Sequence, residues 1–181
     1  MTPASEFSHK VTVDPWPEDG LVVDLTATDA ERDALRARFD LVDIASLRAS
    51  ARIDKRMMEL VLAGTIEAVV SQACVVTLKP VAATLEVSFE RHYRPRKAHE
   101  KMIAAGEAMA AEAIDEDEID VDILEGGDID IGEVIAEEFY LALDPYPRIA
   151  DADRVLDEIR AKTGTAPEAR PDNPFLKLRR H

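Results

Sequence analysis

Several residue types that carry crosslinks or chemistry are scarce in this 181-residue sequence. It contains one cysteine, Cys74, which excludes an intramolecular disulfide framework and a zinc site built on several thiolates. The seven glycines form neither a phosphate-binding loop nor a dinucleotide fingerprint. No apolar run is long enough to cross a bilayer, and the first residues lack the apolar segment of a secretion signal. We therefore expect a cytoplasmic protein without a membrane span.

Positive charge is also scarce, and its distribution is uneven. The chain has 37 Asp and Glu against 22 Lys and Arg, which gives a net charge of −15. The imbalance lies in residues 102–147, which contain fifteen acids and no Lys or Arg. Such a field repels a phosphate backbone and excludes an ordinary basic nucleic-acid binder. The acidic segment is either a solvated face or an interaction surface for a basic partner.

The residue patterns that carry catalysis or metal binding are missing. No serine lies in a nucleophile elbow, and the four histidines lack metal-ligand spacing. The acidic run 115–133 does not match a calcium loop, because its fifth ligand position is apolar and its sixth is not glycine. We expect His92 at the surface, on the polar face of a strand, and Cys74 in the core. The sequence predicts no enzyme activity, no metal site and no cofactor.

The N-terminal part of the chain predicts two strands and a helix. Residues 7–13 and 20–27 are rich in β-branched side chains, which are typical of strands. Thr28 and Glu31 have the spacing of a capping box, in which each side chain bonds the other's backbone N–H. A short amphipathic helix is therefore expected at 29–39.

The central part of the chain predicts a sheet. From Ile44 to Tyr93 the apolar residues alternate with polar ones or form short runs, which favours three or four consecutive antiparallel strands. Gly64 and Lys79-Pro80 are the expected turns. A flexible insert with some helical tendency follows at about 94–118.

The remaining residues predict one further strand and two helices. Alternating isoleucine and aspartate indicate a strand at 119–124. Asp130 is a second helix start, followed by an amphipathic pattern that Pro145 ends. A short helix is expected at 151–162.

Together these elements predict an α+β fold. It consists of a central antiparallel β-sheet, able to curl toward a barrel, with two to three flanking helices. Residues 1–149 are expected to form one domain that includes the insert. Residues 150–181 are expected to form a largely flexible C-terminal extension with a basic and hydrophobic end.

Five strings of this sequence together resemble the YceD family, named large ribosomal RNA subunit accumulation protein, in its alphaproteobacterial form. They are DLTATDAERDALRARFDLVDIASLRA (24–49), AGTIEAVVSQACVVTLKPV (63–81), VSFERHYRP (87–95), IDIGEVIAEEFYLALDPYPR (129–148) and NPFLKL (173–178). Their order and spacing carry the resemblance, which covers most of residues 20–150 and the end of the chain.

The resemblance implies a non-enzymatic role in making or maintaining the large ribosomal subunit. Many relatives have a cysteine pair where this chain has Cys74 and Thr77, so the resemblance implies no zinc-binding role for this chain. The family supplies no established catalytic residues. Its shared positions, which we expect to be structural, are Cys74, Leu78, Pro80, Phe89, Ile129, Asp130, Ile131, Leu141, Pro145 and Pro147.

We expect the protein to act through protein contacts. Its acidic face would bind a basic partner, either a ribosomal protein or a large-subunit assembly intermediate, so that rRNA is reached indirectly. The terminal NPFLKLRRH (173–181) is either a second contact or a disordered end. The residues expected to bind the partner are Asp120, Asp122, Asp128, Tyr146, Arg148, Phe175, Lys177, Arg179 and Arg180.

The alternative function is a direct rRNA-binding module in the mixed-charge half of the chain. Basic side chains surround one aromatic residue there, a combination typical of RNA contacts. The net negative field would have to be held away from the RNA. The residues of this alternative are Arg91, Tyr93, Arg94, Arg96 and Lys97.

Overall fold

The computed structural model describes residues 6–57, 59–104 and 121–163. The chain divides into two units. The larger unit contains the described parts of Met1–Gln72 and Ala82–Pro145, and the smaller unit those of Ala73–Val81 and Tyr146–His181. None of the described helices is both long and apolar enough to cross a membrane. The domain limits expected from the sequence, 1–149 and 150–181, stay a prediction.

Seven strands and four helices occur in the described residues. In chain order they are β1 (Lys10–Thr12), β2 (Leu21–Thr26), α1 (Asp29–Arg38), β3 (Asp43–Arg56), β4 (Glu59–Ala73), β5 (Pro80–Pro95), α2 (Arg96–Ala104), β6 (Val121–Leu124), β7 (Asp128–Asp130), α3 (Ile131–Leu141) and α4 (Ala152–Thr163). The part of the predicted insert that the structure describes is therefore mainly helical, as α2. Residues 105–118 of the insert lie outside the described residues.

Five of these strands form one sheet in the order β2–β3–β4–β5–β6. β3 pairs antiparallel with both β2 and β4, whereas β6 pairs parallel with β5 at one edge. The predicted α+β fold is confirmed. The sheet is mixed rather than purely antiparallel, and it does not close into a barrel.

The core forms on the apolar face that the alternation predicts. In β3, Leu47, Ala49, Ala51 and Ile53 are buried, and the residues between them are exposed. This pattern arises because successive side chains of a strand point to opposite faces. The apolar side of α3 belongs to the same core, in which Phe139 is fully buried.

The capping box predicted for α1 is confirmed. The Thr28 hydroxyl oxygen accepts a hydrogen bond from the Glu31 N–H at 3.3 Å, and the Glu31 carboxylate accepts one from the Thr28 N–H at 2.7 Å. Two backbone donors that the helix leaves unpaired are thereby satisfied.

A two-stranded antiparallel ribbon positions the start of α3. β1 pairs with β7, with Val11 opposite Ile129. The carboxylate of Asp130 accepts hydrogen bonds from the Glu133 N–H at 3.3 Å and from the His9 N–H at 2.8 Å. The predicted helix start is confirmed, and the same side chain connects α3 to the segment before β1.

The smaller unit contains a hydrogen-bonded turn and α4. The Cys74 N–H donates to the Lys79 carbonyl at 2.8 Å, and the Leu78 N–H donates to the Cys74 carbonyl at 2.9 Å. The Val75 N–H donates to the Pro147 carbonyl at 2.9 Å, which joins the two chain segments of this unit. The predicted C-terminal helix is confirmed as α4.

The prediction of a turn at Gly64 is wrong. Gly64 lies inside β4 opposite Ala51, and β3 ends at Arg56, next to Met57 with φ 51°. A Cβ atom at Gly64 would lie 2.5 Å from the carbonyl oxygen of Ser50. Glycine is needed here because the β3 backbone approaches closely, and not because the chain reverses.

Gly64→Ala is expected to lower the free energy of unfolding by about 1–3 kcal/mol, because the added methyl group overlaps the β3 backbone. Urea denaturation measures the change. Gly126→Ala is the control, since a Cβ atom there meets no heavy atom within 4 Å. Equal stability of the two variants would contradict the close approach of the strands.

Candidate acidic binding site

Arg91 on β5 connects the acidic segment to the sheet. Its guanidinium lies 2.8 Å from Glu138 and 3.0 Å from Glu137, both on α3, and 3.8 Å from Asp122 on β6. The Arg91 side chain is only 25% exposed, so water and salt screen these pairs less than fully exposed ones. Burial lowers the pKa of Arg91, but the hydrogen bond and charge of Glu138 outweigh burial and raise the pKa above its ordinary value.

The neighbouring residue, His92, is buried, so the prediction that it lies at the surface is wrong. The side chains of β5 alternate as expected up to Glu90, but His92 is only 7% exposed. Its Nδ1 lies 3.2 Å from Glu59 and its Nε2 lies 3.0 Å from Glu90. Alternation indicates the face on which a residue lies, but it does not reveal which side chains cover that face.

The carboxylates around His92 change its protonation. Burial by itself lowers the pKa of His92, but the hydrogen bonds to Glu90 and Glu59 outweigh burial, and the pKa lies above the ordinary 6.5. Glu59 also accepts a hydrogen bond from Arg94. Burial would raise the pKa of Glu59, but its bonds to Arg94 and His92 lower it below the ordinary 4.5. The cluster therefore favours a charged His92 beside an ionised Glu59.

These side chains line a pocket of about 280 Å³, which we call the acidic pocket. Its lining consists of Glu90, Arg91, His92, Asp122 and Glu138. The three carboxylates outnumber the guanidinium and the imidazole, so the lining stays negative even with His92 charged. An open pocket of this kind suits a guanidinium or ammonium group. Within residues 6–57, 59–104 and 121–163, no group of three His, Cys, Asp or Glu side chains is arranged to hold a metal ion.

The predicted partner-binding residues lie in several places. Asp122 lines the acidic pocket, and Asp128 is exposed on β7. In the smaller unit, Tyr146 is 73% exposed, and Arg148 pairs with Asp153 at 2.9 Å. The other predicted residues, which lie outside the described part of the chain, are Asp120, Phe175, Lys177, Arg179 and Arg180.

The residues predicted to contact RNA are mostly engaged within the larger unit. Arg94 forms an ion pair with Glu59, and Arg96 forms one with Glu125. Arg91 is paired with Glu137 and Glu138. Tyr93 is only 8% exposed, and its burial raises the pKa of its hydroxyl to about 12. Lys97 is exposed and forms no ion pair with any described residue.

The sequence contains one signal for the acidic pocket that the predictions did not use. Arg91 continues the apolar face of Leu85, Val87 and Phe89 on β5. A charged side chain on a buried face requires partners of opposite charge. No pattern in the sequence identifies Glu137 and Glu138 as those partners, because they lie on a different element.

Cys74 is fully buried, so the prediction of a core position is confirmed. Thr77, which stands where many relatives have a second cysteine, hydrogen-bonds Cys74. This bond lowers the pKa of the thiol to about 7 against the effect of burial, with help from backbone hydrogen bonds of Ile149 and Val76.

The other shared family positions are divided between core and surface. Phe89, Ile129 and Ile131 are buried, and Asp130 caps α3. Pro80 begins β5, and Pro145 follows α3. Leu78 and Leu141 are 78% and 72% exposed, so these two shared aliphatic residues do not belong to the core. The structural role expected of the shared positions stays a prediction.

The elements and the pocket together define an α+β protein with an acid-rich pocket. Residues 62–180 match the family model described as large ribosomal RNA subunit accumulation protein YceD. The match covers more than half of the chain and includes the whole acidic pocket, and the chain belongs to the YceD family. No curated protein and no solved structure matches the chain.

The buried histidine makes stability depend on pH. Because the pKa of His92 is raised in the folded state, its contribution is fully present below about pH 6.5 and is lost as the pH rises through the raised value. We expect the unfolding free energy, measured by urea titration from about pH 6 to about pH 8.5, to fall more in the wild type than in His92→Gln.

Comparing the wild type with His92→Gln isolates the contribution of the histidine to the pH dependence. The lowered pKa of Cys74 changes stability in the opposite direction, but Cys74 is present in both proteins. His99→Gln, on α2, is the control and should follow the wild type. Parallel pH profiles for the wild type and His92→Gln would show that the two carboxylates do not stabilise the charged ring.

Proposed function

We propose that this YceD-family protein supports the accumulation of large-subunit rRNA as a non-enzymatic factor that binds a basic protein. Membership of the family supports the role in large-subunit accumulation. The observation that carries the mechanism is the acidic pocket, in which Glu90, Asp122 and Glu138 outnumber the basic groups. The site of action of such a factor would be the cytoplasm.

The exposed carboxylates of the pocket are the ones suited to docking. Glu90 and Asp122 are 48% and 55% exposed, so a partner's arginine or lysine can reach them from solvent. Glu138 is 20% exposed and holds Arg91 in place. The more buried pair, Arg91 and Glu138, thus positions the pocket, and the exposed carboxylates of Glu90 and Asp122 contact the partner.

A basic large-subunit protein fits this surface by charge. Ribosomal proteins are mostly basic, and a net charge of −15 attracts them over a distance and speeds their encounter. A factor that covers the basic surface of such a protein would shield it from wrong contacts with rRNA. This action requires only binding and release.

Direct rRNA contact is the second candidate function. Arg91, Arg94 and Arg96 already pair with carboxylates, and Tyr93 is buried, so this set offers RNA little charge and no stacking surface. The exposed Lys97 favours the alternative, since no described acid neutralises it.

Glu90→Gln combined with Asp122→Asn is expected to weaken binding to the basic partner about tenfold, which corresponds to about 1.4 kcal/mol. The loss follows because two exposed charges leave the pocket. Purified large-subunit proteins, titrated singly against the protein at several salt concentrations, measure the affinity. The same variant, expressed in a deletion strain, should restore large-subunit rRNA less well than the wild type.

The charge-matched control is Glu86→Gln combined with Asp43→Asn, because both residues are exposed and lie outside the pocket. It should bind and complement as the wild type does. Normal large-subunit rRNA in the deletion strain would overturn the role itself. Equal losses in the two double variants would show that overall charge, and not the pocket, attracts the partner.

A further inference from the structure

A second pocket in the larger unit has the opposite charge. Its volume is about 450 Å³, and Trp16, Lys97 and Lys101 line it together with apolar residues such as Leu124. We propose that this lysine pocket binds single-stranded RNA, with one base stacked on Trp16 and the neighbouring phosphates on the two lysines. It uses a different surface from the acidic pocket and goes beyond the proposed protein-binding function.

The two lysines form a paired cationic site. Lys97 and Lys101 are four residues apart on α2, so their side chains lie on one face of the helix. Both are exposed, and neither forms an ion pair with a described residue. The nearby Arg94 and Arg96, by contrast, are paired with Glu59 and Glu125. Among the described basic side chains of this region, the lysines are therefore the ones that no described carboxylate neutralises.

Trp16 supplies the aromatic surface. Its ring is partly buried and packs against the core, which holds it in place without removing it from the pocket. The Nζ atom of Lys55 lies over the ring, 5.4 Å from its centroid, so a base that stacks on this face displaces the long lysine side chain toward the phosphates. Stacking on an aromatic ring next to positive charge is the general mode by which proteins bind unpaired bases.

The charge and size of the lysine pocket agree with this ligand. Its lining contains one carboxylate, Asp14, against the two lysines, so it is locally positive in a strongly acidic protein. A volume of about 450 Å³ is in the range of pockets that hold one small organic group. A duplex does not fit the proposal, because its bases already stack on one another.

The chain has a single tryptophan, so its fluorescence reports on this pocket directly. The probe is a labelled uridine oligomer of about eight nucleotides, titrated into the full-length protein at several salt concentrations. We expect quenching of Trp16 that tracks the anisotropy of the label, with an affinity that falls as salt rises. Lys97→Gln with Lys101→Gln should weaken binding at least about tenfold and reduce the log-salt slope by about 1.4.

Two further variants separate the pocket from general charge. Trp16→Leu should weaken binding about tenfold by anisotropy, since the stacking surface is lost. Lys79→Gln with Lys162→Gln removes the same charge from exposed positions of the smaller unit and should bind the oligomer as the wild type does. Urea denaturation confirms that each variant is folded.

Four results would overturn the proposal. They are the absence of quenching, equal losses in the two lysine double variants, equal affinity for a duplex of the same length, and saturation by uridine monophosphate as tight as by the oligomer. Glu90→Gln with Asp122→Asn should not weaken oligomer binding. RNA binding and protein binding can therefore fail independently.

Discussion

The larger unit depends on arginines that hold an acidic segment against the rest of the fold. Residues 102–147 contain no lysine or arginine, so any ion pair with a basic side chain must use one from elsewhere in the chain. Arg91 on β5 meets carboxylates of β6 and α3, and Arg38 on α1 pairs with Glu133 on α3 at 2.6 Å. These partly shielded pairs orient β6 and α3, whereas the buried apolar residues supply most of the stability. The described part of the acidic segment, residues 121–147, thus pairs partly with other elements of the fold and is partly exposed.

The basic residues of β5 and α2 fall into two groups, those that pair with carboxylates and those that stay exposed. The arginines of β5 and of the start of α2 are held by carboxylates, which suits the fork of the guanidinium to paired oxygens. Lys97 and Lys101, farther along α2, extend into solvent beside Trp16. The larger unit therefore presents two different surfaces. The acidic pocket has an excess of carboxylates, and the lysine pocket has an excess of ammonium groups. We propose that the first surface binds a basic protein and that the second binds RNA.

Much of the fold follows from local patterns in the sequence. The strands of the sheet, the capping box at Thr28 and the helix start at Asp130 each depend on residues close together in the chain, and each is confirmed. The errors have a common cause. Glycine is frequent in turns, which predicts a turn at Gly64, but the close approach of β3 explains this residue. Alternation along β5 predicts His92 at the surface, but side chains distant in sequence bury it. β7 was missed because it exists only through its pairing with β1.

By itself the sequence determined the α+β class and the segment that carries the net charge, because composition and short-range periodicity are properties of the unfolded chain as well. The resemblance to the family rests instead on the order and spacing of five strings of residues. The candidate sites were decided by tertiary structure. Glu138 accepts a hydrogen bond from Arg91, although 47 positions separate them in the chain. Trp16 and Lys97 are farther apart in sequence, yet they line the same pocket. Whether a charged side chain is neutralised or available depends on such encounters, since Coulomb energy follows distance in space and burial rather than order along the chain.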